Sequence, residues 1–167
     1  MEIRKLTGED AFKYWELRLE ALQQDPDAFA TTYEDAIARK NPVERVANNL
    51  EAVGSSTLGA FIDNELVGVM TVSGEGASKL RHRVNLLAVY VTPRVRGKQI
   101  GKVLLEATID HAKTWQGVEK MNLTVVSSNG AAIRLYEKVG FKTFGQEHHA
   151  MKSDNRYVDE LYMSLKW

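Results

Sequence analysis

The stretch of sequence that decides the fold reads Val89-Tyr90-Val91-Thr92-Pro93-Arg94-Val95-Arg96-Gly97-Lys98-Gln99-Ile100-Gly101-Lys102. Its first residues are apolar, and Pro93 ends the strand that they predict, because proline has no N–H for a strand ladder. Helical spacing begins at Ile100, with Val103 and Leu104 on the same apolar stripe. The pattern therefore predicts a buried strand that passes through a short loop directly into a helix.

The loop between this strand and this helix has the features of an anion-binding site. The first turn of a helix leaves its N–H groups without partners and carries partial positive charge. Gly97 and Gly101 lack a Cβ atom, so a large anion can come close to the backbone. The positive side chains around these glycines are Arg94, Arg96, Lys98 and Lys102. The loop predicts a pyrophosphate cradle, although ordinary surface loops also combine glycine with basic residues.

Motifs that would give the loop a different chemistry are absent from the sequence. Gly97 and Gly101 are too close together for a nucleotide-binding P-loop, and the dinucleotide pattern Gly-x-Gly-x-x-Gly does not occur. The adjacent pair His148-His149 lacks the i, i+4 spacing of a helical metal pair. We interpret these two residues as solvated strand histidines and expect no metal site.

The composition is that of an ordinary globular protein. A length of 167 residues fits one domain over 1–167. The 22 Lys and Arg residues balance the 22 Asp and Glu residues, so we expect no broad attraction for nucleic acid or anionic lipid. The lack of cysteine excludes disulfides and a cysteine nucleophile. No signal peptide or membrane-spanning apolar stretch is recognisable, and we expect a cytoplasmic protein.

Periodicity along the chain predicts an α/β domain. The segments that read as strands are 2–6, 57–63, 66–73, 84–91, 121–125, 141–151 and 156–166. Helices are predicted after Thr7, from Asn41-Pro42, over 100–115 and after Asn129. The order β-α-α-β-β-β-α-β-α-β-β implies a mixed central sheet of about seven strands flanked by four helices. Both faces of 84–91 are mostly apolar, which is typical of a central strand covered on both sides.

Two motifs resemble those of the GNAT superfamily of N-acetyltransferases. The loop residues 96–101 are similar to the family's coenzyme-A-binding motif, Gln/Arg-x-x-Gly-x-Gly/Ala, with Gln99 in the place of the first glycine. Glutamine is acceptable at this position in a helical first turn, and the departure matters only if position 99 needs a positive φ. The second motif is Asn129-Gly130-Ala131-Ala132-Ile133-Arg134-Leu135-Tyr136-Glu137-Lys138-Val139-Gly140-Phe141, which resembles the family's later signature Asn-x-x-Ala-x-x-Leu-Tyr-x-x-x-Gly-Phe. The order of elements is also similar over nearly the whole chain, so the resemblance implies a single-domain GNAT-like fold.

The resemblance implies acetyl-coenzyme A as co-substrate. The backbone of 89–91 would pair with the pantetheine arm as an added strand would, and the N–H groups of 97–102 would hold the pyrophosphate. Asn129 would hydrogen-bond the cofactor near the pantetheine, and Tyr136 would point its hydroxyl at the thioester sulfur. The cofactor-binding residues implied in this way are Val89, Tyr90, Val91, Arg96, Gly97, Lys98, Gln99, Ile100, Gly101, Lys102, Asn129, Ala132 and Tyr136.

The resemblance also implies a transferase that moves acetyl to a primary amine. Because the chain has no cysteine, we expect direct transfer in a ternary complex. The family splays its central strand from the next parallel strand, and a backbone N–H near Val89 would bind the carbonyl oxygen there. Tyr136 would protonate the leaving sulfur as general acid. From spacing alone, Tyr136 reads rather as a core aromatic on the apolar stripe of its helix, and it is the resemblance that favours the acid role.

The general base is left open by the sequence. Some family members carry a glutamate on the strand before the Asn-headed helix, but this chain has Thr124 there. The remaining candidates are Glu34, His82, Asp159 and Glu160, with a water chain to solvent as the alternative.

The acceptor pocket is expected across the sheet from the cofactor's entry, between the first two helices and the late strands. The candidate residues are Phe29, Tyr33, Glu34, Tyr157 and Asp159, whose carboxylates would favour a cationic amine. Core packing is the alternative for the aromatic residues. We expect a small-molecule amine acceptor and regard a homodimer as possible. The alternatives are acetylation of peptides, protein N-termini or amino-acid-like herbicides, a non-catalytic acetyl-coenzyme A sensor and a nucleotide-binding regulator.

Overall fold

The computed structural model describes residues 1–167. Its strands are β1 (Glu2–Lys5), β2 (Ser55–Ile62), β3 (Glu65–Gly74), β4 (Arg83–Val91), β5 (Lys120–Val126), β6 (Lys142–Ser153) and β7 (Arg156–Lys166). Its helices are α1 (Ala11–Gln24), α2 (Tyr33–Ile37), α3 (Pro42–Leu50), α4 (Ile100–Lys113) and α5 (Gly130–Val139). The sequence prediction of four helices misses α2, whose short run of five residues is below the length at which periodicity is readable.

The strands form one mixed sheet in the order β1-β2-β3-β4-β5-β7-β6. Only β4 and β5 run parallel, and α4 connects them, while every other neighbouring pair is antiparallel. The predicted α/β class, the mixed sheet and its seven strands are confirmed. The central position predicted for β4 is confirmed as well.

The two faces of the sheet are covered by different helices. Helices α4 and α5 pack on one face, where Leu104, Met121 and Tyr136 belong to the larger apolar cluster. Helices α1 and α3 pack on the opposite face, where Leu17 and Val46 belong to a second cluster. The α1 side is covered mainly over β2 and β3, which leaves the β5–β7–β6 half of that face available for a site.

Local signals define the ends of α5. Asn129 caps its N-terminus, since its side-chain oxygen accepts a hydrogen bond from the N–H of Ala132 at 3.2 Å. Gly140 follows its last residue with φ of 111°, a left-handed conformation that glycine adopts without strain. Both assignments confirm the sequence prediction. No helix of the structure is long and apolar enough to cross a membrane.

Candidate active site

The parallel strands β4 and β5 separate along their length and open a groove. Their registered pairs are confined to 83–85 of β4, and the last pair is Asn85 with Asn122. Beyond it the strands line opposite walls of a cavity of about 1500 Å³, with 86–91 on one wall and 123–126 on the other. Because β4 has no neighbouring strand on this side, an extended ligand can pair with its backbone.

A β-bulge distorts β4 beside the groove. Ala88 and Val89 together lie opposite the single residue Met70 of β3. Ala88 has φ of 50°, a left-handed conformation in which a residue with a Cβ is strained. Neither residue has a registered partner on β3 or β5. Strained backbone of this kind gathers at functional sites, where it redirects polar groups.

The alternation predicted for β4 ends at this bulge. We expected Leu87 on a face covered by the protein, but its side chain is 49% exposed and lines the groove. The reason is that α1 packs over β3 and leaves this part of β4 open. An apolar side chain therefore faces a space that a ligand can fill.

The loop before α4 presents a run of free N–H groups. None of the six backbone N–H groups of 97–102 donates a hydrogen bond to any acceptor in the protein. Gly97 has φ of 81°, and an added Cβ would meet nothing within 4 Å. Gly97, Gln99, Ile100, Gly101 and Lys102 all line the groove. Successive unpaired N–H groups at a helix N-terminus form an anion site without needing a side-chain charge.

Gln99 does not lie in the first turn of α4, so the departure from the family motif affects the backbone at this position. It is the N-cap residue, with φ of 62° and ψ of 9° in the left-handed region. A glycine would adopt this conformation without strain, whereas a residue with a Cβ pays roughly 1–2 kcal/mol there. The left-handed backbone at this position therefore explains why the family motif has a glycine here, and Gln99 adopts the same conformation under strain.

The two arginines of the loop are bound to acceptors within the protein. Arg96 donates from Nε to the carbonyl of Val91 at 2.9 Å and from Nη2 to Asp25 Oδ2 at 2.5 Å. Arg94 forms an ion pair with Glu65 on β3. The predicted charge around the cradle is thus partly neutralised, and the backbone N–H groups remain its main anion donors.

Tyr136 lies in the wall of the groove on α5. Its side chain is only 4% exposed, packs edge-on against Phe141 and donates to no protein acceptor. Burial raises the pKa of Tyr136 to about 12. The hydroxyl therefore stays protonated at neutral pH and is available as a donor to a ligand. Asn129 and Ala132 line the same wall.

These features fit acetyl-coenzyme A. The six free N–H groups suit its diphosphate, and the unpaired side of β4 suits the amide-bearing pantetheine arm. Residues 89–91 and Tyr136 border the same cavity as the cradle. One continuous groove thus offers partners for both ends of a long cofactor.

The structure brings only one of the five predicted acceptor residues into this groove. Phe29 lines it, close to the C-terminal end of α1. Tyr33 and Glu34 lie on α2 outside the lining. Tyr157 stacks on His149 at 4.2 Å between ring centroids, and Asp159 accepts from the N–H of His149 at 2.8 Å. Both belong to the β6–β7 hairpin beyond the groove.

Among the candidate bases, Glu160 has the surroundings of a proton acceptor. It is half-buried on β7, directly across from Glu147 on β6. Burial and, less strongly, the charge of Glu147 raise the pKa of Glu160. Glu160 does not itself line the cavity, but it lies two residues from Tyr162, which does, and the unbroken register with β5 places both side chains on the same face of the sheet. His82 and Glu34 are exposed and outside the groove, and His148 holds Asp159 at 3.0 Å.

The groove also contains residues that the sequence did not single out. They are Arg18 on α1, Phe144 on β6 and Tyr162 on β7. They lie on three different elements of the chain, and none of them belongs to a local sequence motif. Only the packing of these elements around the groove identifies them. The structure places no group of three His, Asp or Glu side chains where they could hold a metal ion.

The sequence matches a family model over most of its length. Residues 14–141 match the model of the acetyltransferase (GNAT) family. An L-amino acid N-acetyltransferase from Escherichia coli is 28% identical over 111 residues, which span 66% of this chain and 68% of that protein. A spermidine N(1)-acetyltransferase from Thermoplasma acidophilum is 29% identical over 148 residues, or 85% and 88% of the two chains. Some other relatives align over less than half of their own length, 45% in one case.

Solved structures share the fold. A putative acetyltransferase from Salmonella typhimurium, determined with acetyl-CoA, is 25% identical and superposes with a TM-score of 0.84 over 99% of this chain and 93% of that one. The likeness extends over the whole sheet and its helices, including the elements that form the groove.

Proposed function

Because the chain belongs to the acetyltransferase (GNAT) family, we propose that it transfers acetyl from acetyl-coenzyme A directly to the primary amine of a small molecule. The observation that carries the proposal is the groove between β4 and β5. At one point on its wall are the six unpaired N–H groups of 97–102, and at another is the unpaired hydroxyl of Tyr136.

The first task of the site is to bind and align the cofactor. The N–H groups of 97–102 hold the diphosphate, and the backbone of 89–91 pairs with the pantetheine arm. Asn129 offers its amide nitrogen, because its side-chain oxygen already caps α5. The bound thioester supplies an activated acetyl group, and all other parts of the reaction fall to the protein.

The second task is to stabilise charge as the acetyl group moves. The N–H of Val89, in the bulge without a ladder partner, donates to the carbonyl oxygen as negative charge builds on it. One such donor typically contributes about 10²–10³ in rate. The hydroxyl of Tyr136 donates its proton to the departing sulfur. Its raised pKa keeps the hydroxyl protonated at neutral pH, so that it can donate to the sulfur as negative charge develops there.

The third task is to remove a proton from the amine. A primary amine with a pKa near ~10 is mostly protonated at neutral pH and cannot attack a carbonyl. We propose Glu160 as the base, acting through water. A carboxylate whose pKa is raised by burial and by Glu147 accepts a proton more readily than an ordinary one.

A small acceptor is favoured by residues 25–31, which line the groove from the end of α1. Two ion pairs hold this segment in place. Arg96 pairs with Asp25 at 2.5 Å, and Arg156 of the β6–β7 hairpin pairs with Asp27 at 2.8 Å. Both ion pairs fix the start of this segment against the sheet, which limits the space for a polypeptide. Relatives that act on amino acids and on spermidine support the same choice.

A protein that binds acetyl-coenzyme A only as a sensor is the second candidate from a different class. It would need the cradle but not the protonated hydroxyl or the proton acceptor. The cytoplasmic location, the homodimer and the single domain stay predictions of the sequence.

Release of free thiol from acetyl-coenzyme A tests the proposal. The purified protein is supplied with a panel of amino acids, polyamines, aminoglycosides and peptides, and we expect acceptor-dependent thiol release with a small amine. Calorimetry with coenzyme A and with ATP runs beside it. Tighter binding of ATP, or binding of acetyl-coenzyme A without release for any acceptor, would contradict the proposal.

A further inference from the structure

Arg18 is a groove residue whose charge has no partner. It lies on α1, is half-buried and lines the cavity together with Phe29. No carboxylate contacts it, and the groups that act on its charge are Tyr14 and a second arginine, Arg39. A guanidinium has five N–H donors, and none of those of Arg18 meets an acceptor in the protein.

Two of the other arginines that line the groove have carboxylate partners, and the third, Arg134 on α5, is exposed to solvent. Arg83 pairs with Glu75 at 3.2 Å, and Arg96 pairs with Asp25 at 2.5 Å. Removing a guanidinium from water without a partner is costly, so a half-buried arginine normally has one. The unmatched charge of Arg18 therefore indicates an anionic group that comes from outside the chain.

The orientation of Arg18 suits a carboxylate. Its guanidinium carbon lies over the Phe29 ring, 4.5 Å from the ring centre, in a cation–π contact. This contact restrains the side chain without using its N–H donors, which remain available at the edge of the guanidinium. That edge matches the two oxygens of a carboxylate, which it binds with two parallel hydrogen bonds.

Arg18 stands on the acceptor side of the sheet rather than the cofactor side. Helix α1 packs on the face opposite α4 and α5, whereas the diphosphate cradle is at the head of α4. Glu160 and Tyr162 of β7 face the same side of the sheet as α1. Their partners on β5 alternate with Leu123 and Val125, which pack in the core on the opposite, α4–α5 side. This side of the sheet thus carries the unpaired cation of Arg18 and the facing carboxylates of Glu147 and Glu160.

From this arrangement we propose that the acceptor is an amino acid whose carboxylate binds Arg18 while its α-amine receives the acetyl group. The inference rests on the proposed function and narrows its substrate class. A polyamine carries only positive charge and would be repelled by Arg18 and Arg39, so it is excluded as the preferred acceptor. The apolar wall of Leu87, Phe29 and Phe144 adds a preference for an uncharged side chain.

Pairs of acceptors that differ only in the carboxylate provide the test. The natural L-amino acids are first assayed with saturating acetyl-coenzyme A, and the best one is then compared with its α-amide. Arg18→Met keeps an unbranched side chain against Phe29 but removes the charge. We expect KM for the amino acid to rise about 10- to 100-fold in this variant, and KM for the amide to change less than about 2-fold. For each acceptor, KM of the variant is compared with KM of the wild type, so the lower amine pKa of the amide does not affect the ratio.

Arg18→Lys is the matched control, because it keeps the charge but loses the planar fork. We expect an intermediate rise in KM for the amino acid. The melting temperature and the affinity for coenzyme A show whether Arg18→Met folds. If it does not, KM of Arg18→Lys for the amino acid tests the proposal on its own. An unchanged KM for the amino acid in the folded variants would overturn the proposal.

The wild-type panel separates this inference from the proposed function. Acetylation of spermidine, of amides or of peptides with higher kcat/KM than any amino acid would overturn the amino-acid acceptor and leave acetyl transfer standing. Failure to acetylate any amine, in a protein that binds acetyl-coenzyme A, would overturn both.

Discussion

Asn85 and Asn122 face each other at the last registered pair of the parallel strands β4 and β5. Asn85 donates from Nδ2 to Glu75 Oε1 at 3.1 Å, and the side-chain oxygen of Asn122 is buried without a partner. Past this pair the strands diverge and the groove opens. The strands thus pair at their N-terminal ends, and their separated C-terminal ends form the groove.

Replacement of Tyr136 by phenylalanine tests the general acid. We expect kcat to fall about 10²-fold or more, because the departing sulfur loses its proton donor. The affinity for coenzyme A should stay within about 2-fold, since the hydroxyl makes no contact that fixes the fold. Steady-state thiol release gives kcat, and calorimetry gives the affinity. Unaltered turnover in the phenylalanine variant would remove Tyr136 from the mechanism.

Truncation of the ligand tests the diphosphate cradle. Acetylpantetheine lacks the phosphates, and we expect it to bind at least about 100-fold more weakly than acetyl-coenzyme A, because several charge-assisted hydrogen bonds to 97–102 are lost. Lys98 is exposed and has no ion pair, so Lys98→Ala serves as a side-chain control with an effect below about 5-fold. Similar affinities for the two ligands, measured by calorimetry, would show that the cradle does not bind phosphate.

The conformation of Gln99 predicts a stabilising substitution. With φ of 62°, this residue bears strain that glycine avoids, so Gln99→Gly should be about 1 kcal/mol more stable than Gln99→Ala. The alanine variant keeps the Cβ atom and hence the strain. Urea unfolding of both variants gives the difference in the free energy of unfolding. Equal midpoints would mean that position 99 is not left-handed in solution.

The Glu147–Glu160 pair predicts a pH dependence of acetyl transfer. A protonated carboxyl cannot accept a proton, so activity that depends on Glu160 is lost as pH falls through its raised pKa. Glu147→Gln removes the facing negative charge from β6 and should shift this loss to lower pH, since the pKa of Glu160 falls. Tyr162 donates to the Glu147 carboxylate, and the glutamine side chain keeps an oxygen that can accept this hydrogen bond.

Glu160→Gln provides the complementary measurement. We expect a fall in kcat of about 10-fold or more and the disappearance of the acidic limb assigned to Glu160. Profiles of kcat against pH, recorded with one acceptor for all three proteins, make the comparison independent of the acceptor's own pKa. If the wild type, Glu147→Gln and Glu160→Gln all lost activity at the same acidic pH, the titrating group would not be Glu160.

Local sequence patterns were sufficient for the strands and the longer helices of the fold. The cap at Asn129 and the end at Gly140 were both predictable, because each depends on residues only a few positions apart. The strand–loop–helix of 89–102 was predictable for the same reason. The five-residue α2 and the left-handed Gln99 were not, since neither leaves a readable period and residue type alone does not set φ.

The acceptor half of the site shows the limit of sequence reasoning. Phe29 was predicted and lines the groove, whereas Tyr157 and Asp159 instead contact the neighbouring histidines of their own hairpin. Arg18 was not predicted, because nothing near it in sequence marks it as unpaired.

The sequence by itself determined the α/β class, the order of the strands and longer helices along the chain and the short loop that opens into α4, because these follow from periodicity, capping and glycine placement within short segments. Only the tertiary structure decided how far β4 separates from β5, where the bulge at Ala88 falls and which charges remain without partners. The physical reason is that pairing and burial are set by residues far apart in the chain, from α1 to β7, which meet only after folding.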